Sequence, residues 1–133
     1  MSEHISWSDE LLVGVDAIDA DHKALIGLMN AIFATATHGP AAINSAIGEL
    51  TAYTKRHFTA EQEIMEQAGY DGLKAHVYEH EHLIFRLETM IERLMMIGVE
   101  GIDAELVALL RAWLVDHIMG FDKTFAAFLH QRA

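Results

Sequence analysis

Cysteine is absent from the chain. Its absence excludes disulfides, thiolate metal sites and cysteine nucleophiles together, and leaves the compartment open on that ground. Proline occurs once in 133 residues, so helices can run long without a breaker. Basic residues are scarce, nine against twenty acidic ones, and the formal net charge is −11. Such a chain repels phosphate backbones and anionic headgroups alike, which makes nucleic acid and membrane surfaces poor partners. Most of this acidity is expected on solvated helix faces, although bound cations would offset part of it. No run reaches the ~18 apolar residues of a membrane span, and the N-terminus lacks the basic start and apolar stretch of a secretion signal. Membrane insertion is therefore not expected, and the cytoplasm is the expected compartment. Internal repeats and low-complexity segments are also missing.

Hydrophobic residues make up 52% of the chain, and a chain of this length can bury roughly two thirds of its unfolded surface in one domain. The spacing predicts an all-α fold. Residues 1 to about 16 carry Trp7, Leu11, Leu12 and Val13 without a sustained period and read as an N-terminal arm lying across the bundle. From Ile18 to Phe33 an apolar stripe at helical spacing includes His22 and ends at His38-Gly39-Pro40. A second helix is predicted from about 41 to 68, with Ile47, Leu50, Thr54, His57, Glu61, Ile64 and Met65 inward. Gly69 to Gly72 gives a tight turn. A third helix from about 73 to 97 repeats His76, His80, Leu83, Leu87, Met90, Ile91 and Leu94 at three and four. Gly98 to Gly101 closes it, and Asp103 is a plausible N-cap for a fourth with Leu106, Leu109, Leu110, Trp113, Leu114, His117 and Ile118 inward. A short C-terminal helix through Phe121, Phe125 and Phe128 packs back. Four striped helices on short loops make an up-down-up-down four-helix bundle.

The chemistry lies in the polar residues on those stripes. His76 and His80, four apart, sit about 40° apart around a helix and one turn up, so both rings can reach a single ion. A lone core histidine commonly hydrogen-bonds a carbonyl and stays neutral. Five on the inward faces of four helices each need partners for two ring nitrogens, and a shared metal supplies one to every ring. Glu61 follows His57 by four on the same stripe, where an uncompensated charge would cost several kcal/mol and calls for a cation. Asp122 follows His117 by five, which in a regular helix turns it about 140° away. Gly120 between them lowers the resistance to a bulge that would bring it back; the alternative is a surface residue at a helix end. Without thiolates, imidazole and carboxylate point to iron, zinc, manganese or copper, and seven ligands are too many for one ion. If both carboxylates and one oxygen atom bridge two ions, all but one of about twelve coordination places are filled. One open place suits a small diatomic ligand.

The order His22, His57-x-x-x-Glu61, His76-x-x-x-His80, His117-x-x-x-x-Asp122 resembles the hemerythrins, specifically the bacterial single-domain bacteriohemerythrins. The resemblance covers nearly all of residues 1–133, including the arm with Trp7, the Asp19-Ala-Asp-His22-Lys23 opening and the His57-Phe58 pair. It implies one hemerythrin-like domain with a non-haem di-iron centre, two iron ions (Fe2+/Fe3+) under an oxo or hydroxo bridge, and reversible O2 binding for transport, storage or delivery rather than enzymatic turnover. In this family one iron would take His76, His80 and His117 and the other His22 and His57, with Glu61 and Asp122 bridging and the open place on the second iron. The one departure is Gln62, where the family often has a second acid. Reversibility needs a dry pocket, and Leu114, Ile118 and Trp113, flanking His117, are its expected apolar cover, although their spacing suits ordinary core equally. His4, His38, His82 and His130 are left outside the site, His82 because two residues from His80 it points about 160° away. Phe33, Phe58 and Tyr53 are taken as packing and Tyr70 is unassigned.

Other readings are a di-iron oxidase or peroxidase, O2 or redox sensing or iron handling through a partner protein, and a metal-free bundle. The oxidase class uses paired Glu-x-x-His motifs with several carboxylates, and only Glu79-x-x-His82 matches. Sensors usually attach an output domain, for which 133 residues leave no room. O2 is the expected partner, with a protein recipient of it left open, and the chain is expected to be a monomer.

Overall fold

The computed structural model describes residues 5–34, 40–97 and 104–132. Four long stretches of helix follow one another: α1 (Asp16–Ala34), α2 (Pro40–Ala68), α3 (Leu73–Ile97) and α4 (Ala104–His117). A five-residue π turn, Ile118–Asp122, then leads directly into α5 (Lys123–Arg132). The short C-terminal helix is thus a continuation of α4 through an irregular turn. No strand occurs among the described residues, and none of their helices is long and apolar enough to cross a membrane.

The inward stripes build the core. On α1 all of Ile18, His22, Leu25, Ile26, Met29, Ile32 and Phe33 are buried, as the spacing predicts. On α2 and α3 the same holds for Ile47, Leu50, Thr54, Met65, Leu83 and Leu87, while Ile64, Met90 and Ile91 are half-buried at the stripe edges. On α4 the expectation fails for Leu109, which is 37% exposed. It lies about 100° around the helix from Leu110, beyond the edge of a stripe formed by Leu110, Trp113, Leu114 and His117. Phe121 is likewise at the surface boundary rather than inside. The side chains of Leu94 and Leu106, and the expected closing and capping residues 38–39, 98–101 and 103, lie outside what is described.

The loops follow from local chemistry. Gly69 adopts φ +68° at the end of α2. Tyr70 N–H donates to Met65 C=O at 3.0 Å and Gly69 N–H to Glu66 C=O at 3.1 Å, the paired bonds of a Schellman cap that favours glycine there. Tyr70, which the sequence left unassigned, then packs its ring 4.9 Å from both Phe125 and Phe128 and fastens this turn to α5.

The N-terminal arm, described from Ile5, carries a single 3-10 turn at Asp9–Leu11. Asn30 clamps it to α1 through both ends of its amide: Ile5 N–H donates to Oδ1 at 2.7 Å and Nδ2–H donates to Ile5 C=O at 2.9 Å. Asp19, buried in the first turn of α1, accepts Val13 N–H at 2.8 Å and Gly14 N–H at 3.2 Å. Gly14 has φ +84°, and a Cβ there would come within 2.9 Å of the His130 ring, so conformation and space both call for glycine.

Candidate metal centre

Residues from α1, α2, α3 and the α4 π turn meet in one layer of the bundle. His22, His57, Glu61, His76, His80, His117 and Asp122 are all at most 2% exposed. His57 and Glu61 share a face of α2, and His76 and His80 share a face of α3, as spacing of four requires. Asp122 reaches the same layer because the chain departs from the α-helix: Lys123 N–H bonds Ile118 C=O, five residues back. With the hydrogen bond stretched from four residues to five, His117 and Asp122 come to within about 40° of one another instead of about 140°.

The two carboxylates divide their oxygens. Glu61 Oε1 lies 2.9 Å from His76 Nε2, 3.1 Å from His80 Nε2 and 4.0 Å from His117 Nε2. Its other oxygen, Oε2, lies 3.3 Å from His57 Nε2 and 3.8 Å from His22 Nε2. Asp122 repeats the pattern, with Oδ1 3.0 Å from His76 Nε2 and 3.1 Å from His117 Nε2, and Oδ2 3.0 Å from His22 Nε2. Each carboxylate therefore turns one oxygen toward the His76, His80, His117 group and the other toward the α1–α2 side of the layer. Two sets of potential ligand atoms, each within 4.8 Å of one another, result: Glu61, His76, His80, His117 and Asp122 in one, and His22, His57 and Glu61 in the other.

These contacts are short but are mostly not hydrogen bonds. His22 Nε2, His57 Nε2, His76 Nε2, His117 Nε2, Glu61 Oε2 and both Asp122 oxygens are buried without a hydrogen-bond partner among the described residues. Orphaned polar atoms of this kind are expensive in a protein interior. Their convergence fits a cation between them.

The outer ring nitrogens set which lone pairs face inward. His57 Nδ1–H donates to Asp21 Oδ2 at 2.8 Å, and Tyr53 O–H donates to the other oxygen of Asp21 at 2.8 Å. His80 Nδ1–H donates to Gln62 Oε1 at 2.8 Å. Burial, reinforced by the charges of His76 and His117, pushes the His80 pKa down to about 4, so this ring is neutral near pH 7. With its proton on Nδ1, its Nε2 lone pair faces a carboxylate oxygen at 3.1 Å, an arrangement of two acceptors that needs a positive ion beside it. Burial also lowers the His117 pKa, but Asp122 and Glu61 outweigh it and hold the ring up to about 10. The Glu61 carboxyl, pushed up by burial, is held well below its ordinary range by the surrounding imidazoles. An entering cation must displace the protons these rings retain, so metal binding weakens as pH falls.

Aromatic rings wall the layer. Phe58 stacks on His80 at 3.9 Å and 5°. Phe121 lies parallel to His117 at 5.7 Å and edge-on to His76 at 5.5 Å. Trp113, Leu114 and Ile118 are buried beside His117 in sequence, and Trp113 Nε1–H donates to Leu83 C=O at 2.9 Å, which fixes the indole between α4 and α3. His82 and His130 are exposed and away from the layer, while His4 and His38 lie outside the described residues.

Sequence reasoning missed Asp21, Gln62 and Tyr53 as partners of the rings. Asp21 and Gln62 each sit next to a residue of the layer, so their side chains point across to the neighbouring helix rather than inward, and one-helix periodicity gives no signal for that. Phe58 and Phe121 were legible only as packing.

Comparison with known proteins agrees with this geometry. The family model described as "Hemerythrin HHE cation binding domain" matches residues 13–129. The bacteriohemerythrin of Stenotrophomonas maltophilia is 38% identical over 121 residues, covering 90% of this chain and 78% of that protein. That of Pseudomonas aeruginosa is 37% identical over 121 residues, with 90% and 77% covered. A crystal structure of wild-type hemerythrin superposes with a TM-score of 0.78 at 26% identity, over 92% of this chain and 95% of that one. Matched along almost its whole length by sequence and by backbone, the chain belongs to the hemerythrin family, whose members bind O2 at non-haem iron.

Proposed function

We propose that this chain is a single hemerythrin-like domain that binds O2 reversibly at two iron ions, for transport, storage or delivery of oxygen, and that it is not an enzyme. His76, His80 and His117 would hold one iron and His22 and His57 the other, with Glu61 and Asp122 bridging. The observation that carries this reading is the division of each carboxylate's oxygens between the two sides of the layer. A residue serving one ion would have no need of it. When bound, the oxo- or hydroxo-bridged iron pair supplies the electrons and the coordination place for O2.

The chain's own residues orient and enclose. Asp21 and Gln62 fix the tautomers of His57 and His80, so that Nε2 is the ligating atom in both; partners of this kind also raise ligand basicity. Leu114, Ile118 and Trp113, with the Phe58 and Phe121 rings, would exclude water and protons from the layer that holds the irons. Farther along the bundle, Ile32, Ile47, Leu50, Leu87, Met90, Ile91 and Leu110 line an apolar cavity of about 20 Å³, room for a small uncharged gas but with no polar partner for water. Leu50 is one turn from Thr54, Leu87 from Leu83 and Leu110 from Leu114, so Thr54, Leu83 and Leu114 form the layer between cavity and site.

The test is iron content together with the visible spectrum of the protein reduced, aerated, deoxygenated and aerated again. About two irons per chain and a band that comes and goes with oxygen are expected. Another metal content, or a spectrum that does not reverse, overturns the reading, and rapid turnover of peroxide would favour the oxidase. Leu114→Ala should speed loss of the oxygenated form severalfold; an unchanged rate removes Leu114 from the cover.

A further inference from the structure

Three large side chains of α3 stand outside the core: Tyr78, Phe85 and Met96 are 75%, 67% and 88% exposed. At 100° per residue they fall within about 20° of one line, opposite the buried His76, His80 and Leu87. The line is about 27 Å long. This ridge, with its apolar side chains about 10 and 16 Å apart, runs along the back of the helix that carries two of the proposed ligands.

The polar groups beside the ridge are sorted, acidic side chains to one side and arginines with an imidazole to the other. Glu81, Glu88 and Glu92 lie about 40 to 80° to one side, and His82, Arg86 and Arg93 at similar angles to the other; all six are exposed. Lys74 stands on the acidic side one turn before Tyr78, and Glu79, on the basic side, turns inward to within 3.7 Å of His117 Nδ1. Along α3 none of Glu81, Arg86 and Glu88 has an opposite charge three or four residues away, and Glu88 and Glu92 are like charges one turn apart, a spacing that weakens an isolated helix.

Such sorting is complementary to itself in one orientation. A second α3 running in the same direction, related by a two-fold axis along the helices, sets its basic side against the acidic side of the first, so that Glu81 meets His82, Glu88 meets Arg86 and Glu92 meets Arg93. An antiparallel pairing sets glutamates against glutamates. We propose that the outer face of α3 binds a second copy of this chain, helix alongside helix in parallel, with Phe85 against Phe85 near the centre. The ridge supplies affinity and the charges supply orientation. This departs from the monomer expected from the sequence and is independent of what the metal layer does.

Light scattering on the iron-loaded chain is expected to give twice its 14.8 kDa mass at high concentration. Phe85→Glu should weaken the association at least about tenfold, with helical circular dichroism and the iron spectrum unchanged as proof of folding. The chain has no native cysteine, so Tyr78→Cys and Thr89→Cys read the orientation under mild oxidation. Parallel pairing cross-links both rapidly, whereas an antiparallel pair sharing this face holds the two Tyr78 positions about 27 Å apart and cross-links only at Thr89. A monomer up to millimolar concentration overturns the proposal, whether or not it binds phosphatidylcholine vesicles instead. So does a dimer indifferent to Phe85→Glu, or a disulfide at position 89 alone.

Discussion

The two halves of the bundle interior are built on one spacing and stabilised in different ways. Around Leu50, Leu87 and Leu110 the buried side chains among the described residues are apolar, and their burial holds the helices together. Two turns away the same stripes carry His57, His80 and His117, and most of the polar atoms gathered there lack hydrogen-bond partners. One half is complete as a polypeptide; the other is complete only with a cation in it. Helical periodicity thus fixes which positions meet, while the residue types at those positions decide whether the meeting needs a ligand.

Substitutions can pull the halves apart. The largest effect is expected for Glu61→Ala, which removes an oxygen from each side of the layer and should abolish retention of both metals, read as iron per chain after gel filtration; a variant that keeps two irons breaks the bridging assignment. Leu87→Ala should do the reverse, costing about 2–5 kcal/mol in denaturant unfolding while iron content stays unchanged. If it also loses iron, the halves are not separable. A smaller loss is expected for Asp21→Asn, which weakens the acceptor behind His57. Its iron affinity should fall about 10- to 100-fold in competition with a chelator, and Tyr53→Phe should move the same way by less. Smallest is Gly120→Ala. A Cβ at this exposed position meets nothing within 4 Å, so the substitution should be neutral or stabilise by up to the helix-propensity difference of about 1 kcal/mol in denaturant unfolding, and a clear loss of stability would show that glycine is needed for the π turn.

Much of this was legible in the sequence. The stripes of α1, α2 and α3 follow from spacing alone because each helix faces a single core. The inward turn of Asp122 could be anticipated from its mismatch with His117, although the open space at Gly120 indicates that the pull of the buried layer, more than glycine, shapes the backbone there. Leu109 was misjudged because a stripe edge is set by how closely the neighbouring helix approaches. Asp21 and Gln62 were passed over for a related reason: a side chain that leaves its own helix sideways is given a role by the helix beside it, which no single-helix pattern encodes.

The π turn reaches beyond the metal layer. It inserts one residue into the helical count, so everything after it is rotated back by about 100°. In an unbroken helix Phe125 and Ala126 would lie toward the outside of α4's stripe; with the extra residue they are buried, and Tyr70 finds Phe125 and Phe128 within reach. Deleting any one residue between Ile118 and Phe121 would therefore swing the Asp122 carboxylate out of the buried layer and unseat the C-terminal segment in the same motion, which ties the number of residues there, more than their identity, to both ends of the molecule.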